Sequence, residues 1–147
     1  MILSWGDVMD IELFFNRIYT VAFRLTGEEE IAEEIASQAI THTIKDLNEY
    51  YKSTSNMFQL TILELAKIFL TMPNLHYNEN LNGIKKALLK LKPVSRVVVI
   101  WKDVLGYQIS DNIPISDCTY EELMKELICG RKELKEYISN LKYAEKI

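Results

Sequence analysis

The sequence contains little glycine and little proline, with five and three residues respectively among 147. Folds rich in β-turns use both types heavily, because tight turns need the backbone conformations that these residues supply. Their scarcity therefore favours a helical protein. Hydrophobic residues make up 48% of the chain, which is enough to build a core in one compact domain or in two very small ones.

Cysteine and histidine are also scarce, with two residues of each. Cys118 and Cys129 form no C-x-x-C pair, and His42 and His76 lie far from them in the sequence, so we expect two reduced thiols and no metal site. The chain also lacks a Ser-His-Asp or Cys-His arrangement and a glycine-rich phosphate loop. We therefore expect neither an enzyme nor a bound cofactor, and we expect the helical His42 to be inert.

A long apolar run and a signal peptide are missing as well. The longest apolar stretch, Thr61–Met72, is interrupted by Glu64 and Lys67 and is shorter than a membrane span. The N-terminus has no basic region of the kind that begins a signal peptide. We therefore expect a cytoplasmic protein without a membrane partner.

The formal net charge of −4 gives no overall attraction to nucleic acid, but the charge is unevenly distributed. Residues 1–72 carry a net charge of −6, residues 73–84 of −1, and residues 85–147 of +3. An acidic front and a basic back indicate two units with different partners. The stretch Met72–Gly83, with one proline, one glycine and four asparagines, is typical of a linker. We therefore predict two domains, at 1–72 and 85–147, joined by a linker at 73–84.

Apolar residues recur at helical spacing through both units. In the first unit this periodicity predicts three helices, at Asp7–Leu25, Thr26–Leu47 and Met57–Thr71. The polar stretch Asn48–Asn56 is predicted to be a loop between the second and third helices. Gly27 should end the first helix, and Thr26 should cap the second. The third helix is apolar on several sides, so we expect it to be the buried centre of a bundle.

In the second unit the same pattern predicts three helices, at Ile84–Leu91, at Arg96–Leu105 and from Tyr120 nearly to the end. Ser95 should cap the middle helix, and Gly106 should end it. Thr119 and Glu122 have the spacing of a capping box for the last helix. The segment Ile109–Ser116 stays ambiguous, because a proline within it would interrupt a long helix.

Three stretches carry motifs at fixed spacing: Ile18–Ile40 (IYTVAFRLTGEEEIAEEIASQAI), Phe58–Leu70 (FQLTILELAKIFL) and Ala87–Tyr107 (ALLKLKPVSRVVVIWKDVLGY). The first stretch joins an aromatic helix to an acidic helix through a Thr-Gly turn. The third is the most specific, and its motif consists of Leu88, Leu91, Pro93, Arg96, Val98, Asp103 and Gly106. Together these stretches resemble the bacterial RNA polymerase sigma factors of the extracytoplasmic-function (ECF) type.

The resemblance implies an all-α fold of two small helical domains, with a bundle similar to sigma region 2 at 1–72 and a helix-turn-helix similar to region 4 at 85–147. It also implies a role in transcription initiation. In the family, the second helix docks on the clamp helices of the largest subunit of core RNA polymerase. The corresponding polymerase-binding residues here are Glu30, Glu33, Glu34, Ser37 and Gln38.

The family also implies an anti-sigma or other regulatory protein as a further partner. A solvated acidic helix face is the plainer interpretation of the same five residues.

The positions at which the family melts promoter DNA are changed in the third helix. Glu64 and Leu65 stand where the family has Arg and Asn, and Phe69 stands where it has Asp. An acid repels phosphate, and Leu65 and Phe69 should be core residues. We therefore do not expect this helix to melt promoter DNA.

The helix-turn-helix keeps the family's length over Gly106–Leu134, but its charge is wrong for reading DNA. Tyr107–Cys129 carries a net charge of −4. Each missing phosphate contact weakens binding, and acids add repulsion. The remaining DNA-binding candidates are Lys125, Arg131, Lys132 and Lys135, although cations also suit the C-terminal half of any helix.

Three functions stay open: a working sigma factor, a sigma-like regulator that does not bind DNA, and a helical protein-interaction module whose acidic grooves meet a basic protein. We predict a sigma-factor-like transcription protein that binds core RNA polymerase, with weak or lost promoter recognition of its own.

Overall fold

The structure is a computed structural model that describes residues 11–47, 54–72, 83–109 and 118–145. These residues form α-helices and one π-helical turn, with no strand among them. The α-helices are α1 (Ile11–Thr26), α2 (Glu29–Leu47), α3 (Thr54–Thr71), α4 (Gly83–Leu89), α5 (Pro93–Val99) and α6 (Tyr120–Glu145). The π-helical turn (Ile100–Val104) continues α5. The predicted all-α fold is confirmed, and residues 7–10 of the first predicted helix lie outside the described residues.

The turn between α1 and α2 is built by local chemistry. Gly27 follows the end of α1 as predicted, but Thr26 is the last residue of α1 and α2 begins at Glu29, so the prediction that Thr26 caps α2 is wrong. Gly27 has a φ of 71°, a left-handed conformation that glycine adopts without steric cost. Its N–H donates to the carbonyl of Phe23 at 2.7 Å and so closes the end of α1. The hydroxyl of Thr26 then accepts the N–H of Glu28 at 3.3 Å, next to the first residue of α2.

α3 begins at Thr54, so the predicted loop is wrong at its last three residues; the part at 48–53 lies outside the described residues. Threonine, serine and asparagine are common both in loops and in the first turn of a helix. Their polarity alone therefore could not distinguish the two structures. The earlier start places Met57 within the helix, with its side chain buried.

α5 begins at Pro93 rather than at Arg96, and the prediction that Ser95 caps it is wrong. The capping position is Lys92, which makes no side-chain capping hydrogen bond. Proline fits the first turn because the N–H that it lacks would have no partner in the helix there. Gly106, with a φ of 76°, follows the π-helical turn and ends the helical stretch where the sequence predicts.

The first three helices form a bundle in which α3 packs on both α1 and α2. Ile18 on α1 and Leu65 on α3 have no exposed surface. α2 contributes alanines to the bundle, and these small side chains let its backbone approach its neighbours closely; the fully buried ones are Ala32, Ala36 and Ala39. Each of the three helices packs on the other two, so the prediction that the third helix is the centre of the bundle is not confirmed.

In the back unit α6 packs on both α4 and α5, and Trp101 and Leu127 are both 1% exposed. The indole N–H of Trp101 donates to the carbonyl of Gln108 at 2.8 Å, so the single polar group of this buried side chain has a hydrogen-bond partner. α1 also contacts α4 and α5, and α3 contacts α5, so a continuous apolar core runs through both units.

Two predicted segments lie largely outside the described residues. Of the linker, only Gly83 and Ile84 are described, and both belong to α4. Of the ambiguous segment before α6, only Ile109 is described, and its side chain is buried. Among the described helices, none is long and apolar enough to cross a membrane.

Candidate functional site

The five predicted polymerase-binding residues lie together on the exposed side of α2. The buried positions of the helix are those that face α1 and α3, so the residues between them turn outward. We call this surface the acidic face; it consists of Glu30, Glu33, Glu34, Ser37 and Gln38, all of which are exposed.

The acidic face carries negative charge that the described part of the protein does not neutralise. Gln38 Nε2 donates to Glu34 Oε1 at 3.5 Å, a contact at the limit of a hydrogen bond. None of the ion pairs among the described residues involves the carboxylates of Glu30, Glu33 or Glu34. Of these acids, Glu30 lies in the first turn of α2, where the helix dipole stabilises a negative charge. The face therefore suits a basic partner.

The negative potential extends from α2 to α1 through Tyr19. The pKa of Tyr19 is raised, first by partial burial and then by the charges of Glu29 and Glu33. The Tyr19 ring stacks on Phe23 with the ring centroids 6.2 Å apart. An aromatic pair thus borders the acidic face on the α1 side.

The positions on α3 that would touch promoter DNA in the family are buried or paired with neighbours. Leu65 is fully buried and Phe69 is 4% exposed, which confirms that both are core residues. Glu64 contacts Lys67 Nζ at 3.3 Å and His42 Nδ1 at 3.6 Å. The His42 side chain of α2 is therefore directed toward α3.

α6 begins with the predicted cap, since the hydroxyl of Thr119 accepts the N–H of Glu122 at 3.1 Å. Behind this cap, Glu121, Glu122 and Lys125 are exposed. The start of the reading helix therefore offers two acids and one lysine to any partner. Residues 110–117, which would complete the helix-turn-helix, lie outside the described residues.

Glu126 does not belong to that exposed surface, although the sequence count included it among the acids that repel DNA. Its Oε2 accepts the hydroxyl of Ser95 at 2.5 Å, a bond between α6 and α5. One turn later Gly130 is buried, and a Cβ there would lie 2.8 Å from Cγ2 of Val99. α6 therefore crosses α5 at this point, and the hydroxyl of Ser95 donates a hydrogen bond from α5 to α6 there.

The four predicted DNA-binding cations differ in their surroundings. Arg131 donates to both carboxylate oxygens of Asp103, at 2.8 and 2.6 Å, so its guanidinium is already occupied. This hydrogen bonding raises the pKa of Arg131 and lowers that of Asp103. Lys125 is exposed one turn from Glu121 and Glu122, while Lys132 and Lys135 line a shallow open groove on α6.

The most constrained charged residue is Arg96, for which the sequence predicts no site role. Arg96 is only 8% exposed and makes four hydrogen bonds to backbone carbonyls. The only local signal is a cation inside an apolar run, PVSRVVVIW. Among the described residues, no group of His, Cys, Asp and Glu side chains has the arrangement of a metal site.

No family model and no curated protein matches this sequence. A solved structure is similar in fold: the sigma factor RpoE in complex with the anti-sigma factor NepR from Bartonella quintana. The TM-score is 0.64 at 15% sequence identity, and the similarity covers 88% of this chain and 94% of that one. A likeness that extends over 88% of the chain includes parts of both units. The chain therefore has a sigma-like all-α fold.

Proposed function

We propose that this protein is a sigma-factor-like transcription initiation protein that binds core RNA polymerase through the acidic face of α2. The observation that carries this proposal is the set of exposed carboxylates, without ion-pair partners among the described residues, on a fold similar to that of a sigma factor. Opposite charges across an interface speed association and fix its orientation. The clamp helices of the largest polymerase subunit are the basic partner that the family resemblance implies. Such a protein acts in the cytoplasm.

We also propose that promoter recognition by this protein on its own is weak or lost. The family's DNA-melting positions on α3 lie in the core at Leu65 and Phe69, where they cannot stack on bases. The exposed start of α6 carries Glu121 and Glu122, which repel phosphate. Of the four candidate cations, Arg131 is held by Asp103.

A regulatory partner in place of DNA is the second candidate function. The similar sigma factor is in complex with an anti-sigma protein, which supports a protein partner for this fold. The exposed acids at the start of α6 favour a basic protein surface over a nucleic acid there. The protein would then be a sigma-like regulator or a helical interaction module.

Retention of the full chain on immobilised clamp helices tests the proposal. We expect retention at low salt that weakens as salt rises, since screening reduces attraction between exposed charges. A standard sigma domain serves as the positive control. Absence of retention at low salt, while the control is retained, would exclude polymerase binding by this route.

Fluorescence anisotropy with duplex promoter DNA tests the second part. We expect weak binding that does not depend on sequence at physiological salt. A footprint confined to one promoter sequence under those conditions would contradict the loss of recognition and favour a working sigma factor.

A further inference from the structure

Arg96 connects the two units through a single buried side chain. Its Nε donates to the carbonyl of Leu88, and its Nη2 donates to those of Leu89 and Leu91, each at 2.9 Å. These three bonds cap the end of α4 within the back unit. Its Nη1 donates to the carbonyl of Leu25, near the end of α1 in the front unit.

The guanidinium also lies over an aromatic ring of the front unit. Its carbon is 5.4 Å from the ring centroid of Phe69 on α3. A cation over an aromatic face is attracted by the negative charge of the ring face, and more strongly where water is excluded. Arg96 thus contacts α1, α3 and α4, which belong to both units.

The charge of Arg96 is stabilised without a described carboxylate. The ion pairs among the described residues do not include it. Burial lowers the pKa of Arg96 to about 10, so the side chain still carries its proton at neutral pH. The carboxyl ends of α1 and α4 both point carbonyls at it, and the negative ends of the two helix dipoles replace the missing counter-ion.

A second cation crosses between the units in the same direction. Lys85 on α4 lies over the ring of Phe23 on α1, with Nζ 5.6 Å from the centroid. Among the described residues, two cations of the back unit, Arg96 and Lys85, therefore lie over aromatic rings of the front unit. Within the described residues, no salt bridge joins the two units.

We propose that Arg96 is a latch that holds the front and back units closed, and that the units separate when it loses Leu25 and Phe69. Residues 11–72 form the front unit and residues 83–145 the back unit. The three bonds to α4 can persist in an open form, because they lie within the back unit. Of the contacts that Arg96 makes, only the bond to Leu25 and the contact with Phe69 must break. The apolar contacts between the units and the contact of Lys85 with Phe23 separate with them.

Closure also places the back unit beside the acidic face. Lys85 covers Phe23, whose ring stacks on Tyr19, and Tyr19 experiences the charges of Glu29 and Glu33. Separation of the units would therefore move Lys85 away from the edge of the acidic face. The opening can be measured without any partner, so its outcome does not depend on polymerase binding.

Distance measurements between two spin labels test the latch in the full chain. Ser37 on α2 and Ser139 on α6 are exposed and lie in different units, so each is replaced by cysteine for labelling. The native Cys118 and Cys129 are replaced by serine. Double electron–electron resonance then gives the distribution of distances between the units.

Arg96→Met removes the donors and the charge but keeps an unbranched apolar side chain. We expect a narrow distance distribution in the parent protein and a second, longer population in the variant, with the ratio of closed to open molecules lowered about tenfold or more. Arg131→Met is the matched control, because it breaks a bidentate pair with Asp103 that lies within the back unit. We expect the control to keep the parent distribution.

Phe69→Leu distinguishes the contact between the units from the capping of α4. It removes the aromatic ring under Arg96 and leaves every bond of Arg96 to α4 in place. If Arg96→Met unfolds and so loses its helical circular dichroism, Phe69→Leu tests the proposal in its place. We expect Phe69→Leu to show the second population at the longer distance between the labels. The proposal is overturned if a folded Arg96→Met, or Phe69→Leu in its place, keeps the parent distribution. A broad distribution in the parent protein would overturn it as well.

Discussion

Replacement of Leu65 by asparagine tests whether α3 is a core helix or a helix that reads DNA. Asparagine is the residue that the resemblance places at this position in sigma factors. If Leu65 faced promoter DNA, the substitution would be tolerated and would improve DNA binding. The structure buries Leu65 completely, so an amide there would have no access to water.

The expected cost follows from two contributions. Loss of a fully buried leucine side chain removes about 1.5–3 kcal/mol of hydrophobic stabilisation. A buried amide without hydrogen-bond partners costs a further ~1–3 kcal/mol. We therefore expect Leu65→Asn to lower the free energy of unfolding by about 2.5–6 kcal/mol, a large part of the roughly 5–15 kcal/mol of a typical domain.

Urea unfolding followed by far-ultraviolet circular dichroism measures this loss. Lys67→Asn is the matched control on the same helix, since the Lys67 side chain is 49% exposed and pairs only with Glu64 among the described residues. We expect the control to cost about 1 kcal/mol or less. The account of α3 is refuted if Leu65→Asn unfolds with the stability of the control and binds single-stranded promoter DNA more tightly than the wild type.

Two further predictions concern the contacts of α6. Glu126→Ala should lower the free energy of unfolding, measured in urea, by about 1–2 kcal/mol, because the hydroxyl of Ser95 loses its acceptor. Glu126→Gln keeps a carbonyl oxygen as an acceptor and should lower it less. Equal losses in the two variants would exclude this hydrogen bond. The hydrogen bonds from Arg131 hold the pKa of Asp103 below its ordinary range. The Asp103 carboxylate therefore stabilises the fold at any pH above the ordinary carboxyl pKa. This stabilisation is lost as the pH falls through the lowered pKa. Wild type and Asp103→Asn should therefore differ in unfolding free energy at neutral pH and converge below about pH 4, and a difference that grows on acidification would contradict the assignment.

Local chemistry allowed much of the fold to be predicted from the sequence. The turn after α1 follows from the left-handed Gly27, and the start of α6 follows from the cap at Thr119. The burial of Leu65 and Phe69 follows from apolar residues at helical spacing. The exposure of the acidic face follows from the same period, because the residues between the buried positions must turn outward.

The contacts that the sequence could not predict join residues far apart in the chain. Ser95 looked like a cap because serine often caps helices, yet its partner is Glu126, which is 31 residues away. The exposed negative charge of the reading helix is also smaller than its sequence suggests, since the carboxylate of Glu126 is bonded to Ser95 between α6 and α5. Arg96 reaches Leu25 over 71 residues, and no local pattern encodes such a pairing.

The measurement that tests the central claim most directly is the affinity of the full chain for core RNA polymerase, compared between two charge-reversal variants. Glu30→Lys with Glu34→Lys reverses two charges of the acidic face, and Glu133→Lys with Glu136→Lys makes the same change at exposed positions of α6. Surface charges that lie in an interface contribute through complementarity with the partner, whereas those outside it contribute little. We predict that the first variant loses at least about tenfold in affinity while the second binds like the wild type. Equal affinities of the wild type and both variants, or a larger loss in the α6 variant, would contradict the assignment of the acidic face as the polymerase-binding surface.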